Sequence, residues 1–417
     1  MSSDTTRSTR ASVVYYYANF LVFGGIGTTA GATLPLVIRH FEWSYLAAGW
    51  IFAASAAGYF LSTFVTGLVL PHLGIRRLMV VGLLLQAIGI GGFGMGASLP
   101  INMVMFVILG LGQGAVEVSI NVGVVRIESP GQSRLMNLVH SAFTIGAMAA
   151  PFMAGFLAWM QAPWRWVYMI MAAVAVGMLV WTVRAGSWMN HHESQHASNA
   201  SGNSREHSKL RDPLLVFLAA TIFFYVGAEI GISNWIAEYF VKIHQTSASV
   251  GALMVALFWF GVFLGRMAHG LWDHGKRQGN HLLISSLGSL VALLLAIWIR
   301  MPWLSALLFF LTGVGYSIVY PCVMSLIGMS FPKRQSAAIG MVSTSGGLGV
   351  FLFPFAMSAL SERFGLVNGF QFYLGLTVLM CVCIVISLVL LRGKKRLGQT
   401  SRNFHHLQKP QQPTPKS

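Results

Sequence analysis

Apolar runs long enough to cross a bilayer recur along the chain, and they constrain the fold more than any other feature. Twelve are drawn, at about 13–38, 45–70, 78–97, 101–125, 135–159, 165–184, 213–240, 249–272, 280–299, 303–328, 336–360 and 368–391. A hydrocarbon core about 30 Å thick takes about 20 residues of helix. Inside it every backbone N–H and C=O needs a partner from the chain itself, so each run is expected to be an α-helix. A barrel would show weaker alternation in ten-residue segments instead. Only 9% of the 417 residues are charged, where a soluble chain has about 25%. The fold class expected is an all-α membrane protein with twelve transmembrane helices.

The net charge of +16 would suit a nucleic-acid binder if it lay on one soluble face. It lies in short loops between spans, so no nucleic-acid partner is expected. Of the 27 Lys and Arg residues, 22 fall on one side, among them Arg76, Arg77, Arg126, Arg134, Arg266, Lys333 and Arg334. The other five are Arg39, Arg165, Lys242, Arg300 and Arg363. The rich side is read as cytoplasmic, with both termini there and the chain in an inner (cytoplasmic) membrane. Residues 1–12 are polar and the first apolar run is too long for a signal peptide, so no cleavable leader is expected.

Two segments depart from this pattern. Residues 185–212, rich in Ser, Asn and His, are read as a flexible cytoplasmic linker, and residues 392–417 as an unstructured cytoplasmic tail. His191, His192, His196 and His207 in the linker are read as solvated residues rather than a metal tract. Cys322, Cys381 and Cys383 all sit in apolar spans and suit packing, not a disulfide framework or a zinc site. No cofactor or metal is expected.

A shift of 203 residues aligns Gly24 with Gly227, Gly58 with Gly261, Gly67 with Gly270, Gly110 with Gly313, Gly112 with Gly315, Gly146 with Gly349 and Pro151 with Pro354. The chain therefore reads as a duplicated six-helix unit: bundles at 13–184 and 213–391, pseudo-symmetric about the membrane normal. Parallel repeats of this kind hold their site at the interface, near the midplane.

Polar residues inside the spans are the candidate site. Gln113, Glu117 and Asn121 follow at i, i+4, i+8 and form one stripe on the fourth span. A carboxylate there costs about 2.5–3.5 kcal/mol on insertion scales and by default marks a substrate or proton path. A structural helix–helix hydrogen bond is the alternative. Burial disfavours the charged form, so Glu117 could hold a proton in one state and release it in another. The shift places Tyr320 opposite it in the second half, so the acid is not a symmetric feature. His140 on the fifth span comes within about one turn of its depth, which permits a Glu–His pair as readily as a lone histidine.

On the seventh span Tyr225, Glu229 and Ser233 share a face, while Asn234, Trp235 and Glu238 lie mostly on others. Glu229 is placed at the cavity and Glu238 near the outer interface. Gly227 and Gly231 would permit a local break near Gly231. Trp235 could stack on a sugar ring or simply pack. Asn19, Thr28 and Thr29 on the first span could reach the same cavity. Arg76, Arg77 and Arg266 lie at cytoplasmic helix ends, where they could lock a gate or only anchor topology.

The chain resembles the major facilitator superfamily, and within it the fucose:proton symporter family. The residues that carry this are Glu117 with Asn121, Asn137-Leu138 with Gly146-Ala147, Tyr225-Val226-Gly227-Ala228, Gly265-Arg266, Ser317-Ile318-x-Tyr320-Pro321 with Ser325-Leu326, and Gly346-Gly347 with Pro354. The departures are specific. Gly31 stands four residues before Pro35 where the family has an acid. Phe143 replaces an asparagine, and His140 and Glu229 replace glutamines. The superfamily loop signature survives as Gly67, Gly74, Arg76 and Arg77, with Pro71-His72 in place of Asp-Arg.

The resemblance implies a major facilitator fold and proton-coupled import of a sugar or similar small polar solute. Of the candidates for proton coupling, Glu117 matches the family motif, while His140 and Glu229 are departures that could take the role of the acid missing at Gly31. Substrate contacts are expected from Gln113, Glu117, Asn121, Tyr225, Glu229, Asn234, Trp235 and Tyr320. Expected partners are a small solute, protons and membrane lipids, with the chain acting as a monomer. An exporter of drugs or metabolites, which would want a more aromatic cavity, is the rival within transport. A sensor on the same fold is the rival from another class. No nucleophile constellation, phosphate loop or zinc motif is present, so an enzyme is not expected.

Overall fold

The computed structural model describes residues 2–95, 98–128, 134–184, 212–272, 278–331 and 335–407. The linker with its four histidines and residues 408–417 lie outside the described residues. The helices are α1 (Ser2–Phe41), α2 (Tyr45–Gly94), α3 (Leu99–Ile127), α4 (Arg134–Trp159), α5 (Arg165–Arg184), α6 (Pro213–Ile243), α7 (Ala248–Trp272), α8 (Gln278–Trp298), α9 (Pro302–Tyr316), α10 (Val319–Ser330), α11 (Gln335–Phe364) and α12 (Leu366–Leu407).

Eleven helical stretches among the described residues are long and apolar enough to span a membrane. One of them, α2, has 50 residues. At 1.5 Å per residue it would be about 75 Å long if straight, more than twice the core. Gly74, with φ 78° and ψ 159°, turns the chain back on itself. Glycine reaches that region without steric cost, so one residue replaces a loop. The second and third spans are thus both in α2, and twelve crossings result. Start signals are local. Ser44 accepts the Ala47 N–H at 3.1 Å and caps α2. Asp212 accepts the Leu214 N–H at 3.0 Å and caps α6, with Pro213 in the first turn.

The duplication extends to individual contacts. The missing Cβ of Gly58 faces the Val107 carbonyl, and that of Gly261 faces Phe310. Gly110 faces Ser55 O, and Gly313 faces Phe258 O. Gly112 faces Gln86 and Gly82, and Gly315 faces Ser289 and Ser285. Every one of these pairs is related by 203 residues. The first and seventh spans slip by one: Gly146 faces Leu21 O and Gly25 N, whereas Gly349 faces Phe223 O and Gly227 N. The spatial partner of Gly227 is therefore Gly25, not Gly24. The halves meet where α1 packs on α6, α2 on α11 and α4 on α7.

Three expectations are corrected. The seventh span is not broken: α6 is continuous from Pro213 to Ile243. Gly231 serves close packing, since a Cβ there would strike the Tyr373 ring. The discontinuity lies in the tenth span, between α9 and α10, where Pro321 has no N–H for the carbonyl of Ser317. The tail, expected to be unstructured from residue 392, continues α12 to Leu407. Residues 394–408 are mostly tolerant of helix and contain no proline before Pro410. The three cysteines are buried in the spans, and among the described residues none is in a disulfide.

Candidate functional site

Polar groups from both halves converge where α2, α3 and α4 face α6, α7 and α10. On the first half Tyr59 of α2 donates its hydroxyl to Glu117 Oε2 at 2.5 Å. One turn along α3, Asn121 also bonds Glu117. His140 Nε2 lies 3.2 Å from Asn121 Oδ1, the geometry of a ring N–H donated to the amide oxygen. The Glu117–His140 pair considered above is thus replaced by a relay in which Asn121 stands between them. The reason is packing: Tyr59 reaches the carboxylate from α2, and Asn121 is the nearer group to α4. Gln113 continues the stripe toward α1, with its amide nitrogen beside Gly27.

On the second half Tyr225 donates to Glu229 Oε1 at 2.6 Å, an i,i+4 pair along α6. Glu229 is 5% exposed. Arg266 joins this group. Its Nε donates to Ser317 O at 3.3 Å, the carbonyl that Pro321 leaves free. Its guanidinium is in electrostatic range of Glu229 and Tyr225, and of His140 across the seam. Arg266 therefore lies within the central polar cluster. Tyr320, just after the break, bonds Ser343 Oγ at 3.3 Å and lies in electrostatic range of Glu117.

Other candidates are placed elsewhere. Arg76 donates to the Val183 carbonyl at 2.9 Å, in the last turn of α5, so it ties the first half to itself. Arg77 is exposed. Thr28 and Thr29 return their hydroxyls to carbonyls of α1, and Asn19 donates to Tyr15 O. None of the three shares a side-chain bond with the cluster. Ser233 accepts the Trp259 indole N–H at 2.7 Å. Asn234 is buried against Gly31 of α1. Trp235 is fully buried, edge-on to Tyr45 and tilted against Phe52, so it does not line an open cavity in this conformation. Glu238 accepts from Tyr45 OH at 3.2 Å, well away from Glu229.

Sequence reasoning missed Tyr59, which holds the central carboxylate. The only signal was its place beside Gly58, where α2 approaches α3 closely. It also missed an aromatic wall. Phe143 is 5.3 Å from Trp259 across the seam, and Phe20 packs edge-on to His140 at 4.8 Å.

The sequence model of the Major Facilitator Superfamily matches residues 16–278 and 218–412. The chain belongs to the Major Facilitator Superfamily. Curated relatives include the "Protein TsgA homolog" of Yersinia enterocolitica, 21% identical over 344 residues, spanning 81% of this chain and 84% of that protein. The Yersinia pestis counterpart has the same identity and coverage. Among solved structures, the nucleoside transporter NupG superposes with TM-score 0.70 at 12% identity, covering 91% of this chain and 99% of that one. A D-xylose-proton symporter gives TM-score 0.69 at 14% identity, over 90% and 95%. An inward-open xylose transporter from E. coli gives 0.71 at 12%, over 92% and 95%. At these identities the structures establish a shared fold. The converging cluster lies at the meeting of the two halves of this transporter fold.

Proposed function

We propose that this transporter imports a sugar or similar small polar solute together with protons, by alternating access. The observation that carries the reading is the setting of Glu117. It sits at the seam with neutral partners, Tyr59 and Asn121, while Glu229 shares its surroundings with the Arg266 cation. Two carboxylates in such different company take different roles. Glu117 is the proton carrier in this reading, and Glu229 is the acid that faces the Arg266 cation. His140 reaches Glu117 through Asn121 and reports its charge to the fifth span. Gln113, Asn121, Tyr225 and Tyr320 supply donors and acceptors to solute hydroxyls, and Phe143, held edge-on by Trp259, gives a ring a face to lie on. The names of two structural neighbours, a D-xylose-proton symporter and a nucleoside transporter, agree with a hydroxylated solute.

The bundles at 13–184 and 213–391 are the moving bodies, with residues 185–212 linking them in the cytoplasm. The asymmetry of Lys and Arg supports cytoplasmic termini in an inner membrane. The end where α1 hands over to α2 is then the outer end.

The test is Glu117→Gln in proteoliposomes. A ligand shifts two states only through differential affinity, so a variant fixed in the neutral form keeps binding and counterflow but cannot use a pH gradient. Exchange of the sugar should survive and uphill uptake should collapse. Gradient-driven accumulation by the variant would overturn the proton role. The same aromatic wall also suits export of a ring-bearing metabolite. Accumulation driven by a gradient that is acid on the outer side separates import from that reading.

A further inference from the structure

The halves are joined at the outer end by a contact set that any opening to that side must break. Tyr45 begins α2. Its backbone N–H donates to Glu362 Oε2 at 2.7 Å, and the N–H of Leu46 donates to the same oxygen at 3.3 Å. First-turn N–H groups have no partner within their own helix, and a helix N-terminus favours an anion. Glu362 stands near the end of α11, so a carboxylate of the second half caps a helix of the first. The Tyr45 hydroxyl meanwhile donates to Glu238 Oε1 on α6 at 3.2 Å. Two acids of one half thus hold one residue of the other, by backbone and by side chain.

The surroundings fit a closure. The missing Cβ of Gly49 faces Ser358, that of Gly31 faces Ser233 and Asn234, and that of Gly155 faces Ser249 and Leu253. Each of these glycines belongs to the first half and each partner to the second. Ser249 Oγ also donates to Gly155 O at 2.8 Å. Beneath Tyr45 lies Trp235, fully buried and edge-on to the Tyr45 ring.

We propose that Tyr45, Glu362 and Glu238 form a latch that keeps the outer end of the seam shut, and that its release exposes Trp235 to the outside. The proposal rests on the alternating-access reading above, but not on the identity of the solute or on proton coupling. It also accounts for glycine at position 31. A side chain there would meet the α6 backbone and hold the seam apart.

The test is thiol labelling of the full chain in detergent, which needs neither substrate nor gradient. Ser358→Cys is the reporter, in a background of Cys322→Ala, Cys381→Ala and Cys383→Ala. Ser358 is fully buried against Gly49, so a polar maleimide should react slowly. Losing hydrogen bonds to a charged acceptor shifts the closed–open balance, so Glu362→Ala should speed labelling by about tenfold or more. Glu362→Gln keeps an acceptor oxygen and should fall between. Tyr45→Phe keeps the backbone bonds and loses the one to Glu238, so it should give a smaller rise. Ser286→Cys, buried within the second half, is the control and should stay slow throughout. Unchanged Ser358→Cys labelling in both Glu362→Ala and Tyr45→Phe would overturn the latch. So would a parallel rise at Ser286→Cys, which would mean a loosened fold. If Glu362→Ala does not yield a monodisperse protein, Tyr45→Phe decides alone.

Discussion

Arg266 donates through Nε to the carbonyl of Ser317, the group that Pro321 leaves without its helical partner. Gly265 packs against Ser317 as well, so α7 lies directly on the discontinuity between α9 and α10. The break places Tyr320 beside Ser343 and sends the guanidinium toward Glu229. Discontinuous helices of this kind form binding sites in secondary transporters. Pro321→Ala would return an N–H to Ser317. That bond would let α9 and α10 join as one continuous helix, so this variant should melt at a higher temperature and transport more slowly than the parent. A melting curve together with an uptake assay checks both halves. Faster transport would show that the break is incidental.

Tyr59 makes the shortest polar contact of the cluster, to Glu117. Leaving a buried hydrogen-bonding group without its partner costs about 1–3 kcal/mol. Tyr59→Phe should therefore lower gradient-driven uptake by roughly tenfold or more, with unchanged yield and monodispersity. Uptake within a factor of about two of the parent would leave Tyr59 as a packing residue.

Gly146 sits where a Cβ would collide with the carbonyl of Leu21, whereas Gly177 has nothing within 4 Å. Overpacking costs about 1–3 kcal/mol. Gly146→Ala should lose thermal stability in detergent and Gly177→Ala should not. Equal melting temperatures would show that α1 and α4 can separate without cost.

His244 follows α6 at its outer end. Burial is the main cause that pushes its ring below the ordinary histidine value of 6.5, and the nearby Arg300 charge adds to it, against a backbone hydrogen bond to Arg300. The unfolded chain then binds a proton more readily than the folded one. Stability from this group is present above about pH 6.5 and is lost as pH falls from there through the lower folded value. His244→Gln should flatten the decline in melting temperature between about pH 7 and pH 5. An unchanged slope would assign that decline to other groups.

Twelve crossings, a duplicated unit and a polar stripe at Gln113, Glu117 and Asn121 were legible in the sequence alone. These depend on apolar length and helical period, which are local and nearly independent of where other helices lie. The 203-residue repeat was legible for the same reason, since glycine at a close crossing leaves its mark at a fixed position. What the tertiary structure decided is which groups meet. Period places Glu117 on a face but does not say that Tyr59, from another span, will occupy it. It could not show that α1 and α6 slip by one residue between the halves. Gly231 read as a hinge and is a seat for Tyr373. Arg266, read at a helix end, reaches inward because Pro321 frees a carbonyl on a neighbouring span. Such pairings depend on helix rotation and separation to within about an ångström, and those are set by the packing of all the spans together.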